Sequence, residues 1–352
     1  ADRSGPGRRN GAVSVRLRLL IFAAGAALFL FLVAHVGPGV LLANFRRAGF
    51  TLIPIVLLWI PVLLCWNWAW WLTMPNDQAA GAGGRRPPFW RVLAVGVAGH
   101  SLNDVTPFAQ VGGEPFRIGA LAPWLGAQRA TGSVVTYYML HAMSNMVAWL
   151  AGIVLVLALY HPPTPLVVPL VVALVLITAL IAFVFTRHRQ GIVAPLVRFF
   201  GKVPLAGRLA RRIEARSSGI EALDRTITGF YHASPGRFWL ALLLDTLGRF
   251  VSLFEYWLVA RAISVEMSVL QMVVIGSFTA LATNVIFFMP LQAGSKEGGL
   301  YFAFKLAGLD PTVGIFAALV QRVREWTWIG VGLLLIWLAG ERVDRGSNGV
   351  TV

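Results

Sequence analysis

Charge is scarce in this chain and cysteine is nearly missing. Of its 352 residues 13% are charged and one is cysteine, against 57% hydrophobic and a mean hydropathy of +0.71. A soluble domain carries roughly 25% charged and 45–50% apolar residues. A disordered chain and a soluble nucleic-acid-binding fold are therefore excluded. The one cysteine, Cys65, stands in an apolar stretch. It excludes a disulfide framework and a cysteine-based metal site, and reads as a small buried hydrophobe. Catalytic signatures are missing as well. There is no Walker A loop, no HExxH, no metal-spaced His/Cys/carboxylate cluster and no GxSxG elbow. The expectation is a protein that is not an enzyme, with no catalytic residue, cofactor or metal. Acidic residues are also few: 15 against 30 basic ones, for a net charge of +15. Beside long apolar runs, that surplus belongs in cytoplasmic loops facing anionic phospholipid headgroups rather than nucleic acid.

The long apolar runs, such as 19-LLIFAAGAALFLFLVAHV-36, exclude an outer-membrane barrel, whose strands alternate over about 10 residues. A crossing helix needs about 20 apolar residues. Six stretches qualify: 17–37, 50–72, 130–158, 164–186, 237–259 and 312–339. The basic stretch before the first reads as a tail leading into a retained helix rather than a cleaved signal. Two further apolar regions, 90–126 and 268–309, are interrupted by Gly, Pro and charge.

Positive charge decides whether the interrupted regions cross or turn back. If both turn back, Arg3, Arg8, Arg9, Arg16 and Arg18 share the cytoplasmic face with Arg85, Arg86, Arg91, Arg342 and Arg345. The segment 187–237 joins them, with ten Lys/Arg against three acids. The far side keeps only Arg46, Arg47, Arg261 and Lys305. A single crossing by 90–126 would put the ten cations outside, against the positive-inside bias. The expected fold is an all-α polytopic membrane protein of six full transmembrane helices and two oppositely inserted re-entrant hairpins, with both termini cytoplasmic. Its parts are a basic tail (1–16), a first membrane half (17–186) with hairpin 90–126, and a basic amphipathic segment on the cytoplasmic surface (187–236). A second half (237–340) with hairpin 268–309 and a tail (341–352) complete it.

The interrupted regions also resemble each other. The first reads 103-NDVTPFAQVGGEPFR-117 and the second 284-NVIFFMPLQAGSKEGG-299. Each has Asn (Asn103, Asn284), then Pro (Pro107, Pro290), a Gly turn (Gly112 and Gly113; Gly294) and Glu (Glu114, Glu297). Pro removes a helix donor and Gly permits the turn, so both mark hairpin bends. Interrupted hydrophobic segments at matching places in oppositely oriented halves point to a transporter's central site.

Charges inside apolar segments are the second pointer, since an unpaired ion there costs several kcal/mol. The acids are Asp104, Glu114, Asp245, Glu255, Glu297 and Glu325; the bases are Arg117, Arg249, Lys296, Arg322 and Arg324. Helical spacing pairs Asp245 with Arg249 and Arg322 with Glu325. Glu114 and Glu297 are expected to meet in one cavity near the midplane. The substrate-binding candidates are Asn103, Asp104, Glu114, Arg117, Asn284, Lys296, Glu297, Arg322 and Arg324. Glu114, Glu297 and His141 are candidates for proton coupling. His141 belongs to a polar stripe with Thr136, Tyr137, Ser144 and Asn145.

The block Asn103, Pro107, Gly112, Gly113, Glu114, Arg117 resembles the bacterial flippase-like family related to the membrane domain of lysylphosphatidylglycerol synthase. The stretches 278–309 and 320–332 resemble its hopanoid-transport branch, with a departure at Ser295 and Lys296. The resemblance implies an inner-membrane lipid translocase, moving a hopanoid, a modified phospholipid or a polyprenyl-phosphate-linked glycan. The aminoacyl-transferase half of the larger members has no counterpart here, so aminoacyl-lipid synthesis is not implied. The alternative is a proton-coupled carrier of a small solute. Expected partners are the lipid and anionic headgroups, with self-association left open.

The topology has a direct check. On a Cys65→Ser background, single cysteines at positions 85 and 208 should both be labelled from the cytoplasmic face. Labelling from opposite faces would overturn the two-hairpin arrangement.

Overall fold

Proline and glycine set the helix boundaries. Pro38, Pro235 and Pro311 each open a helix, where the missing N–H removes no intrahelical bond. The computed structural model describes residues 37–74, 86–106, 112–160, 164–187, 234–285 and 294–347, with isolated positions 30, 31, 34, 35 and 162. Most of the expected first span, the segment 187–236 apart from its first residue and its last three (187 and 234–236), Pro107 and Pro290 lie outside these residues.

The described residues are helical, without a strand among them. Helix α1 (Pro38–Ala48) passes through a single 3₁₀ turn into α2 (Leu52–Leu57) and α3 (Trp59–Thr73). Next come α4 (Phe89–Val105), α5 (Gly113–Leu125) and α6 (Ala127–Leu155), which ends in a π-helical turn, Val156–Tyr160. Helices α7 (Thr164–Arg187), α8 (Pro235–Ala262), α9 (Val269–Val285), α10 (Ser295–Leu306) and α11 (Pro311–Ser347) follow. Among the described residues, two stretches are long and apolar enough to cross a membrane: Pro38–Thr73 and Ala127–Leu159. The first begins well before the expected 50–72, because Gly49–Thr51 tightens the helix to 3₁₀ without ending it. α8 and α11 are long enough but carry interior charge, including Asp245, Arg249, Arg322 and Arg324.

Both interrupted regions double back as antiparallel helix pairs. In α4/α5, the Gly113 N–H donates to Asn103 Oδ1 at 2.6 Å, and Arg117 Nη2 to the Gly96 carbonyl at 3.2 Å. In α9/α10, Gln271 Nε2 donates to the Ala307 carbonyl at 3.0 Å, joining the start of one helix to the end of the other. α4 and α9 are each 17 residues long. After each pair the chain turns through a left-handed glycine, Gly126 (φ 79°) or Gly308 (φ 71°), a conformation other residues adopt at a steric cost.

Exchanging the two halves nearly preserves the packing. α3 lies against α8. α4 packs on α5 and α11; α9 packs on α10 and α6. Each hairpin thus seats against the other half's long helix. The buried cores follow the same plan. One gathers Trp70, Val92, Leu121 and Leu140 with Leu242 from α8; the other gathers Ile275, Leu300 and Phe316 with Ile55 from α2.

Close backbone approaches hold the hairpins. A Cβ on Gly113 would stand 2.0 Å from the Gly99 carbonyl oxygen, and one on Gly314 2.5 Å from that of Leu300. Backbone cannot give way as a side-chain tip can. Gly113→Ala and Gly314→Ala should each destabilise the detergent-solubilised protein by about 1–3 kcal/mol. Gly119→Ala and Gly330→Ala meet nothing within 4 Å, and should be neutral or slightly stabilising through helix propensity, by up to ~1 kcal/mol. Thermal melts of the four variants check this; equal melting points would mean that the contacts do not hold the fold.

Candidate functional site

Three clusters of charge lie inside the helical body. The first closes hairpin α4/α5. Asn103, near the end of α4, accepts from Gly113 and donates through Nδ2 to Glu114 Oε1 at 2.9 Å. Tyr138 from α6 donates its hydroxyl to the same carboxylate oxygen. Arg117 Nη1 donates to the Tyr138 oxygen at 2.7 Å. The chain of bonds Arg117–Tyr138–Glu114–Asn103 neutralises the pair through a phenol rather than by direct contact. Glu114 also stands in the first turn of α5, where the helix dipole favours a carboxylate. Glu114 Oε2 and Arg117 Nε are buried without a partner among the described residues.

The second cluster joins hairpin α9/α10 to α11 and α8. Glu297, fully buried, accepts from the backbone N–H of Gly294 at 2.8 Å and so caps α10. Its other oxygen receives Arg322 Nη2 at 2.9 Å and Nε at 3.1 Å. Lys296 pairs with Glu325, which also accepts from Arg324 Nη2 at 3.2 Å. Arg324 Nε stands 3.3 Å from Glu255 Oε1, and its guanidinium lies 3.6 Å from the centre of the Trp59 ring. Trp59 and Gln321 donate to Glu255 Oε2. Three acids (Glu255, Glu297, Glu325) balance three bases (Lys296, Arg322, Arg324).

The third cluster bridges α6 and α8 between them. Asp245, with no exposed surface, hydrogen-bonds His141 Nδ1 at 2.9 Å and stands 3.5 Å from Arg249 Nε. Arg249 also donates to Ser144 Oγ and to the His141 carbonyl, each at 3.0 Å.

Two cavities open onto these clusters. One, of about 490 Å³, is lined by Asn103, Asp104, Glu114, Arg117, Tyr138 and His141 among others. The other, of about 240 Å³, is lined by Arg249, Glu255, Lys296 and Arg324 with Trp59 and Trp149. The third cluster forms the wall between them, since His141 faces the first and Arg249 the second. No group of three or more His, Cys, Asp or Glu placed to hold a metal ion occurs among the described residues.

Comparison with protein families matches residues 15–333 to the Lysylphosphatidylglycerol synthase TM region. The chain belongs to this family. The match spans both hairpins and all three clusters. Comparisons with curated proteins and with solved structures gave no match. Membership in a membrane-region family, with the long apolar helices, makes this a multi-pass helical membrane protein whose function is lipid-related.

Several expectations are revised by the geometry. Glu114 and Glu297 do not share a cavity: Glu114 lines the larger one, while Glu297 lines neither and is held by Arg322 and Gly294. It is Asp104 that stands near enough to Lys296, Arg324 and Glu325 to feel their charge. Arg322 bonds Glu297, and Glu325 bonds Lys296 and Arg324 instead of the expected Arg322, because the start of α10 lies alongside α11. Asp245 and Arg249 do pair, with His141 the nearer partner. For Asn284 only the backbone is described, at the end of α9. Sequence reasoning missed Tyr138 and Trp59. Tyr138 directly follows Tyr137 of the polar stripe without belonging to it; Trp59 carries no signal in an apolar helix rich in tryptophan.

A double-mutant cycle tests the third cluster. Asp245→Ala strips His141 and Arg249 of a buried partner and should cost about 3–5 kcal/mol. Adding Arg249→Ala should recover part of that loss in thermal melts. Additive losses would mean the two charges are not coupled.

Proposed function

We propose that this protein is a lipid translocase of the bacterial cytoplasmic membrane. It crosses the bilayer six times, the second crossing lying within Pro38–Thr73 and the third within Ala127–Leu159, the others at 17–37, 164–186, 237–259 and 312–339. Both termini are cytoplasmic, and hairpins α4/α5 and α9/α10 are re-entrant from opposite faces. The basic segment 187–236 rests on the anionic headgroups of the cytoplasmic leaflet.

One observation carries the reading: two hairpins, exchanged by the packing symmetry, each bring buried charge to a polar cavity inside an apolar body. Buried ions in a membrane protein mark substrate or ion paths. Sites for whole drug-sized molecules run to about 300–1,000 Å³, so cavities of about 490 and 240 Å³ hold a headgroup and not a two-chain lipid. The headgroup passes between the cavities, at the wall formed by His141, Asp245 and Arg249, while the chains stay in the bilayer. Asn103, Glu114 and Arg117 contact it on one side, Lys296 and Arg324 on the other. Asp104 lies between, and Arg322 and Glu297 hold the second hairpin in place. The transported lipid is a hopanoid, a modified phospholipid or a polyprenyl-phosphate-linked glycan, and no bond is made or broken.

In liposomes carrying a headgroup-labelled lipid, the protein should speed exchange between leaflets. Glu114→Gln and Arg117→Gln should slow it at least tenfold with folding intact, while Glu214→Gln in the basic segment should not. Wild-type rates from both hairpin variants would overturn the site. No lipid exchange by the wild-type protein, with uptake of a small solute, would establish the carrier alternative.

A further inference from the structure

The smaller polar cavity has an apolar neighbour. A cleft of about 180 Å³ lies where α6, α7, α9 and α10 meet, walled by Ile153, Val156, Leu170, Ala173, Phe278 and Leu306. Trp149 and Ser277 line both spaces. Polar and hydrocarbon-like compartments thus share a wall, as an amphipathic ligand requires.

Two residues lining the polar cavity carry unsatisfied buried donors. Arg324 is only 4% exposed, lines the polar cavity, and its Nη1 has no hydrogen-bond partner among the described residues. The Trp149 indole N–H is likewise buried and unpartnered. A buried donor left without an acceptor is a standing cost that a bound acceptor removes. The charges are layered. Of the groups lining the polar cavity three are cationic (Arg249, Lys296, Arg324) and one is acidic (Glu255), while their partners Asp245 and Glu325 do not line it. The cluster is balanced overall, yet its positive face meets the cavity.

The seam between the compartments is narrow. A Cβ on Gly152 would stand 1.9 Å from Ser277 Oγ, so α6 and α9 touch there with no side chain from Gly152 between them. Just beyond, α6 changes to a π-helical turn at Val156, itself part of the cleft wall. Such turns interrupt α-helices most often at functional sites.

We infer that the smaller cavity and the cleft form one site for a phosphate-bearing lipid, with its anionic headgroup on Arg324, Lys296 and Arg249 and one hydrocarbon chain between α6, α7 and α9. This deepens the translocase reading and rests on it. The phosphate separates this class from uncharged polycyclic lipids, and the cleft's volume admits a stretch of one chain, the rest lying in the bilayer.

The test uses the full-length protein in detergent with four probes: inorganic phosphate, phosphatidylglycerol, a polyprenyl phosphate and neutral diacylglycerol. One or both phosphate lipids should bind at least tenfold more tightly than diacylglycerol; which one does identifies the source of the phosphate. Arg324→Gln should remove that preference. Arg324→Lys, which keeps the charge and the fold but loses Nη1, should weaken binding about threefold. Ala173→Trp, filling the cleft from α7, should weaken lipid binding at least tenfold while leaving inorganic phosphate binding unchanged. A phosphatidylglycerol or polyprenyl phosphate with a photoreactive chain should crosslink to residues 149–156, 170–173 or 277–278. Equal affinity for diacylglycerol, or wild-type binding by Arg324→Gln, would overturn the headgroup assignment. Crosslinks elsewhere, or wild-type lipid binding by Ala173→Trp, would overturn the cleft. Binding as described without leaflet exchange would sink the translocase reading alone; exchange with crosslinks elsewhere would sink this inference alone.

Discussion

Charge buried in an apolar body must be answered by opposite charge or hydrogen bonds, and this constraint organises the molecule. Water is not on hand to solvate an ion at a helix crossing, so four of the acids there take a partner from another element. Glu297 joins α10 to α11, Glu255 joins α8 to α11, Asp245 joins α8 to α6, and Glu114 joins α5 to α4 and α6. In a bilayer, lipid tails are as apolar as leucine, and burial of apolar surface does little to press helices together. Polar bonds and close backbone contact supply the specificity. The clusters therefore serve two purposes at once. They fix which helices meet, and they leave a few donors unsatisfied on residues that line the cavities.

The two hairpin tips solve the same problem by different chemistry. A helix start exposes N–H groups that need acceptors. In α10 the acceptor is Glu297 reaching back to Gly294; in α5 it is Asn103 reaching across from the preceding helix. Glu114, one position earlier in its helix than Glu297, is thereby left for Tyr138 and the cavity. Equivalent glutamates have diverged, one into a structural cap and the other into a cavity wall.

Much of this was legible in the residues. The order Asn, Pro, Gly, Glu marked both regions where the chain doubles back. The charged residues singled out form the three clusters, except Asp104, which stands 3.7 Å from His100 on its own helix. The pairing was less legible, because spacing along one helix reveals only local partners. It found Asp245–Arg249 but proposed Arg322–Glu325, where a neighbouring helix supplied Glu297 to one and Lys296 to the other. The shared cavity of Glu114 and Glu297 failed for the same reason: equivalence in sequence fixes a residue's place on its helix, not which cavity that helix faces. Tyr138 and Trp59 were invisible, since nothing local distinguishes an aromatic ring that packs from one that holds an ion.

The exchanged packing bears on how the chain can assemble. α4 rests on α11, the last of the described helices, and α9 on α6. Neither half can complete its interior alone. During synthesis the first hairpin is made long before the surface it seats against. Until α11 arrives, Gly332 is not there to admit Ser101, whose hydroxyl bonds the Trp328 carbonyl at 2.9 Å. A chain stopped before α11 would therefore hold an open seam with polar groups facing hydrocarbon, the kind of surface that quality-control machinery engages.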